Sequence, residues 1–247
     1  KTKKTFTVIY EDDNILIANK PFGLLTHGDQ NEKKNHLANQ VKDYLIEKGE
    51  YNPRTEKVFS PAPANRLDRN TTGLVLFGKN SDALRTLNRY IREDRISKFY
   101  RTIVFGNLEK KLELHGRLKK DSGTNTVAIY DANETEGRAI ETIVTPIQPL
   151  RSSTLVEVDL VTGRTHQIRA HLASIGHPVI GDSKYAKGPA KGFNHRLYES
   201  CHLSTQLLHS FRLEFRDCDG PLEYLNGRVF EAPLPEQFEE ILEELSK

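Results

Sequence analysis

The chain has no methionine in its 247 residues. A sequence that starts at Lys1 without one is expected to begin inside a longer product, or after trimming. Cysteine is almost as scarce, with only Cys201 and Cys218 present. Two cysteines with no pairing pattern exclude a disulfide scaffold, and a reducing cytoplasm is the default expectation. His202 and His209 stand near Cys201, but no Cys-x-x-Cys or paired-ligand spacing goes with them, so no metal is expected there. No run approaches about 18 consecutive apolar residues, which excludes a helical membrane span, and the opening KTKKTFTVIY lacks the apolar core of a secretory signal. Strong charge of either sign is missing too, since the net charge is +2. Its distribution is uneven. The last 13 residues, PEQFEEILEELSK, carry five acids and one lysine, so the other 234 carry +6. A mildly basic body permits a polyanionic partner without requiring one.

What is present reads as a globular chain with interleaved strand and helix patterns. Thr5–Tyr10 and Ile15–Asn19 read as strands joined by the turn EDDN. A helix fits His36–Lys48, with Leu37, Val41, Tyr44 and Leu45 on one face. Residues 49–63, with three prolines, read as loop. Leu74–Gly78 reads as a buried strand, and Ser81 is expected to cap a helix through Leu84, Leu87 and Ile91. The middle is strand-rich: Lys98–Phe105, Leu112–Lys120, Val127–Tyr130, Ala139–Pro146 and Thr154–Leu160. A helix is expected over Thr165–Ile175, loop over the basic segment 184–196, strands over Leu207–Phe215 and Leu222–Phe230, and a last helix from near Pro235. The elements do not alternate as strand and helix throughout. This excludes a doubly wound parallel sheet and favours an α+β fold with a mixed, largely antiparallel sheet and flanking helices. No repeat or linker is evident, so residues 1–247 are read as one domain, in which two lobes could flank a cleft.

Two cationic stretches carry the candidate chemistry. In NRLDRNTTGL, 65–74, the carboxylate of Asp68 lies between Arg66 and Arg69, just before an apolar strand. Such an acid can be a structural ion pair or a helix cap as readily as a reactive group. In LVTGRTHQIRAHLASIGHP, 160–178, Gly163 offers a tight turn and Thr165 a helix cap, with Arg164 at the entrance. His166 and Arg169, three apart, are expected to share the polar face, while Ile168, Leu172 and Ile175 take the apolar one. A helix start with a guanidinium fork suits a phosphate or a carboxylate. His166 and His171, with Asp182 in reserve, could instead ligate a metal. Their spacing of five does not share a helix face, and nearby arginines would repel the ion, so no metal is expected. Tyr100, in SKFYRTIVFG, could be an ordinary tyrosine packed at a core edge.

Taken together, NRLDRNTTGL at 65–74, KFY at 98–100, LVTGRTHQIRAHL at 160–172 and GHPVIGDSKY at 176–185 resemble, in order, the motifs of the RluA-type pseudouridine synthase family. The opening VIYEDDNILIANKPFGLLTH and the late LLHSFRLEF also look typical of it. The resemblance covers nearly the whole chain. It departs from the pattern at Asn65, where a histidine is usual, and at Thr72, where a serine is usual; the first puts local RNA contacts in question. The small RNA-binding domain that many relatives carry upstream is not in this sequence.

The resemblance implies a pseudouridine synthase fold with a central catalytic cleft, an isomerase acting on RNA, and no cofactor. It implies Asp68 as the catalytic carboxylate, Tyr100 stacked on the target base, and Arg169 as the ion-pair partner of Asp68. Arg66 would engage RNA near a flipped nucleotide, with Arg69, Arg164 and His166 holding phosphates, and Leu208 would wall the base pocket. The reaction needs a carboxylate that is ionised yet poorly solvated. Burial favours the neutral acid, and a guanidinium alongside opposes that. Whether the acid attacks the sugar, attacks the base or removes a sugar proton is left open by the sequence. Ribosomal large-subunit RNA (23S) is the expected substrate, with transfer RNA as the alternative, and a cytoplasmic monomer is expected. Two rivals differ in class. One is a catalytically silent RNA-binding protein of the same fold. The other is a phosphate-ester hydrolase built on the helix start at 163–166, which would want a metal cluster or a Walker-type glycine loop.

Overall fold

The structure is a computed structural model that describes all residues, Lys1–Lys247. In chain order the elements are β1 (Thr7–Glu11), β2 (Ile15–Lys20), α1 (Leu37–Glu47), β3 (Ala62–Pro63), β4 (Thr72–Gly78), α2 (Ser81–Arg92), β5 (Ile96–Phe105), β6 (Leu112–Asp121), β7 (Thr126–Tyr130), β8 (Arg138–Leu150), β9 (Ser153–Leu160), α3 (Gln167–Ser174), α4 (Pro189–Cys201), β10 (Leu208–Phe215), β11 (Val229–Glu231) and α5 (Glu236–Leu245). The sheet is mostly antiparallel, and the fold is α+β. The chain divides into two compact units: Lys1–Ser97 with Ser210–Pro233, and Lys98–His209 with Leu234–Lys247.

In the first unit, β2 pairs with β1 and β4, β3 pairs with β4, and β11 pairs with β10. The turn before β2 closes because Asp12 Oδ1 accepts from the Asn14 and Ile15 amides at 2.7 and 2.9 Å. Ile15 and Ile17 of β2 and Leu74 and Leu76 of β4 pack with Leu87 and Tyr90 of α2 and with Leu213 and Phe215 of β10. Their strand neighbours Leu16, Ala18, Val75 and Phe77 are also fully buried. Both faces of this sheet are therefore covered, which is why LVLF reads as a continuous apolar run. Helix α1 starts where the His36 ring accepts from the Asn39 amide. For α2 the cap is Asn80, not Ser81 as expected: Asn80 is extended and its side chain accepts from Ala83 N at 2.9 Å, while Ser81 is the first helical residue. The strand expected over Leu222–Phe230 is instead a 3-10 helix, Gly220–Leu225, followed by the short β11. Gly220 and Pro221 start the 3-10 turn, Gly227, with positive φ, interrupts the expected strand, and Leu222 and Leu225, three apart, are both buried.

The second unit is built on the sheet β5-β9-β8-β6-β7, in which β6 and β7 form a hairpin and β7 is the edge. Helix α3 lies against β7 and β8. On the other side of this core, Ile103 and Leu155 pack with Phe193 and Leu197 of α4 and Phe238, Ile241 and Leu245 of α5. The expected loop at 184–196 is thus mostly helix. Pro189 sits in its first turn, where the missing N–H costs nothing, and Ala190, Phe193 and Leu197 supply a buried stripe. Helix α3 also starts later than expected, at Gln167, and Thr165 does not cap it. The residue before it, His166, is left-handed at φ 54°, and the reach back to the loop is made by Gln167, whose Oε1 accepts from Arg164 N and Thr162 Oγ1. Gly163 does not have a positive φ, and a side chain there would press on Lys98 Nζ at 3.2 Å. No helix is long and apolar enough to cross a membrane.

Candidate active site

In the first unit, the loop between β3 and β4 carries Arg66, Asp68 and Arg69, and it is held from three directions. Upstream, Thr26 Oγ1 donates to Leu67 O at 3.0 Å and accepts from Leu67 N at 3.1 Å. Alongside, Asn65 bridges to β4: its Nδ2 donates to Leu74 O at 3.3 Å and its Oδ1 accepts from Leu76 N at 2.8 Å. The residue that departs from the family pattern therefore ties the loop to the strand. Downstream, Lys20 is fully buried, and its Nζ donates to the carbonyls of Leu24 at 2.5 Å, Arg69 at 2.9 Å and Pro21 at 3.2 Å. Asp68 itself is half-buried, and its carbonyl closes a turn by accepting from Thr71 N at 3.0 Å.

Lys20 was not legible as a functional residue. Burial pulls its amine down to about 7, with the charge of Asp68 resisting and that of Arg69 assisting. The three carbonyls resist as well. A neutral amine has only two N–H donors, so the ammonium is the form that can satisfy all three carbonyls at once. Arg66 and Arg69 are exposed. Arg69 reaches Asp29 at 3.4 Å in a pair that is about half exposed on both sides, so the carboxylate can be exchanged for a phosphate at little cost.

In the second unit, Tyr100 is buried on β5, opposite Val158 of β9, and Leu208 is buried at the start of β10. Arg164 is exposed in the loop before α3. His166 and Arg169 do not share a polar helix face as expected. His166 precedes the helix, and Arg169 is buried, 5 % exposed. Its Nε and Nη2 donate to the two carboxylate oxygens of Asp182 at 2.6 and 3.1 Å. Its guanidinium also lies 5.3 Å from the ring centre of Tyr185. The Tyr185 hydroxyl in turn meets His166 Nδ1 at 2.7 Å. The two predicted residues are thus brought together through a third and a fourth, Tyr185 and Asp182.

His171 points inward. Its Nδ1 is 2.8 Å from Thr142 Oγ1, which accepts from Gln167 Nε2 at 3.0 Å. Burial first, then His115, pull the ring down to about 4, so it is neutral at neutral pH. Gln167 is the residue most plainly missed. Its amide donates to Glu141 O and Thr142 Oγ1 and its oxygen accepts from Thr162 and Arg164, so one buried side chain ties the loop bearing Arg164 to β8. No group of three or more His, Cys, Asp or Glu side chains is arranged to hold a metal ion.

Comparison with known proteins places the chain in a family. Residues 14–174 match the family model described as RNA pseudouridylate synthase. The chain belongs to that family. It is a pseudouridine synthase of the RluA type, and such enzymes are isomerases. It is 32 % identical to an uncharacterized RNA pseudouridine synthase of Mycoplasma capricolum, over 90 % of this chain and 69 % of that protein. It is 29 % identical to ribosomal large subunit pseudouridine synthase D of Zymomonas mobilis, over 94 % of this chain and 70 % of that protein. Its fold is similar to that of human RNA pseudouridylate synthase domain containing 4, with a TM-score of 0.71 and 21 % identity, over 96 % of this chain and 92 % of the human one. The matched span 14–174 of this pseudouridine synthase holds Lys20, Asp68, Tyr100 and Arg169, and stops short of Asp182 and Tyr185.

Proposed function

We propose that the enzyme isomerises specific uridines in ribosomal large-subunit RNA, with Asp68 as the catalytic carboxylate. The observation that carries this reading is the construction of the Asp68 loop. A half-buried acid stands in a loop fastened by Thr26, Asn65 and a buried ammonium, Lys20. A surface loop has no need of a buried lysine, whereas a reacting carboxylate needs rigid support. The likeness to a ribosomal large subunit synthase from Zymomonas mobilis supports the choice of RNA.

In the reaction the bond from ribose C1′ to uracil N1 breaks, the base turns, and C5 bonds to C1′. The hydrogen leaves C5 for solvent and N1 regains one, so product and substrate are isomers and no cofactor enters. Asp68 acts on the sugar or the base, and Arg169 balances its charge. A stacked uridine must first be extruded, at a cost of about a few kcal/mol. Tyr100 offers the extruded base an aromatic face, and Leu208 walls it. Arg66, Arg69, Arg164 and His166 hold the phosphates on either side. The enzyme acts as a cytoplasmic monomer.

The substrate is tested by mapping pseudouridines in RNA from cells with and without the protein. Loss of one or more sites in large-subunit ribosomal RNA is expected. Loss confined to transfer RNA would overturn the choice of substrate, and no loss anywhere would favour a silent RNA-binding protein.

A further inference from the structure

The segment GHPVIGDSKY, 176–185, has no role in the reaction described above, yet its residues converge on Arg169. Gly181 has φ +78°, and a Cβ there would lie 2.1 Å from Thr205 O, so only glycine fits the turn that follows Val179 and Ile180 into Asp182. Asp182 is 1 % exposed. Besides the two bonds from Arg169, its Oδ1 accepts from Lys184 N at 3.0 Å and from Tyr185 N at 3.4 Å. The carboxylate is thus held by its own backbone before it holds the guanidinium. The grip is on the Nε–Nη2 edge, which fixes the guanidinium plane and turns the Nη1 edge away from Asp182.

Tyr185 completes the arrangement. Its ring lies by the Arg169 guanidinium. Its hydroxyl accepts from Val127 N, on the edge strand β7, at 3.0 Å. The same hydroxyl is hydrogen-bonded to His166 Nδ1, 2.7 Å away. One side chain therefore connects the β6–β7 hairpin, the residue at the start of α3, and Arg169.

We infer that Asp182 and Tyr185 are positioning residues for Arg169: Asp182 sets the plane and reach of the guanidinium, and Tyr185 ties that setting to His166 and to the β7 edge. A lone buried pair would serve stability poorly, since two desolvated charges roughly offset each other. An arginine held on one edge and stacked on one face is instead presented for use by its other edge. The inference rests on the reading of Arg169 as part of the active site.

The test uses the full chain and a uridine RNA substrate, with single-turnover rate and RNA affinity measured separately. Asp182→Asn keeps the shape and removes the charge. Its rate is expected to fall at least tenfold with affinity within threefold of wild type. Added to Arg169→Gln, it should slow the reaction no further, because it acts only through Arg169. A rate within twofold of wild type, or a double variant slowed by the product of the single effects, overturns the inference. Should Asp182→Asn not fold, Tyr185→Phe carries the test, since it keeps the ring and loses only the hydroxyl. A threefold or greater rate loss with unchanged melting temperature is expected, and a wild-type rate overturns the inference. Asp68→Asn is measured in parallel. Full activity there would refute the reading of the site itself, whatever Asp182 and Tyr185 do.

Discussion

Replacing Lys20 by methionine is the sharpest perturbation of the scaffold beneath Asp68. The side chain is fully buried and donates to three carbonyls at 2.5, 2.9 and 3.2 Å. Methionine refills most of the volume and supplies no donor. Hydrogen bonds from a charged donor contribute about 1.5–3 kcal/mol each, so the gross loss is on the order of 4–9 kcal/mol. Removing a buried charge returns several kcal/mol of desolvation. The net expectation is a loss of about 2–4 kcal/mol, read by equilibrium urea unfolding. Activity should suffer more than stability. The Arg69 carbonyl is one residue from Asp68, and a misplacement of about 1 Å at a reacting group can cost about 100-fold in rate. The single-turnover rate of the folded variant is therefore expected to fall about 10- to 100-fold, with RNA affinity nearly kept. A variant as stable as wild type, within about 0.5 kcal/mol, and fully active would show that the ammonium does not fasten this loop.

Two further predictions concern stability. Gly73 has φ +110° and a Cβ there would lie 2.1 Å from Ser210 O, a backbone atom. Gly73→Ala should cost about 3–5 kcal/mol, combining left-handed strain with overpacking, and a loss below about 1 kcal/mol in thermal or urea unfolding would contradict the packing described. His171 is neutral in the fold and pulled down to about 4, against 6.5 for an ordinary histidine. Between these values the unfolded chain takes up a proton that the folded chain does not. Stability should then fall as pH drops from 6.5 to 4, by up to about 3 kcal/mol from this residue, with no contribution at neutral pH. His171→Asn should flatten that slope, and an identical pH profile would mean that the ring is not kept neutral by the fold.

Much of the fold was legible because burial and periodicity agree. Leu37, Val41 and Leu45 mark α1 to within a residue at each end, and the apolar runs ILIA and LVLF mark β2 and β4. The misses have local physical causes. Glycine and proline at 188, 189 and 192 hid α4, although Ala190, Phe193 and Leu197 already formed a helical stripe. Gly220 and Pro221 open a 3-10 turn where a late strand was expected to start, and Gly227 breaks the rest. At the candidate site, the residues that bear charge in loops, Arg66, Asp68, Arg69 and Arg164, were readable from their motifs. The residues that hold them were not. Lys20 looks like a solvent-facing lysine at a strand end, and it is buried because three backbone carbonyls converge on it. Asp182 and Gln167 likewise act through partners far away in sequence or on the backbone, which periodicity does not encode.

Asp68 is the group on which the proposed reaction turns. Its direct test is tritium release from RNA carrying uridine labelled at C5, with the Asp68→Asn variant and a parallel measurement of RNA binding. Release should disappear while binding stays within a few-fold of wild type. Release at a rate near that of wild type would contradict the assignment of Asp68 as the reacting carboxylate.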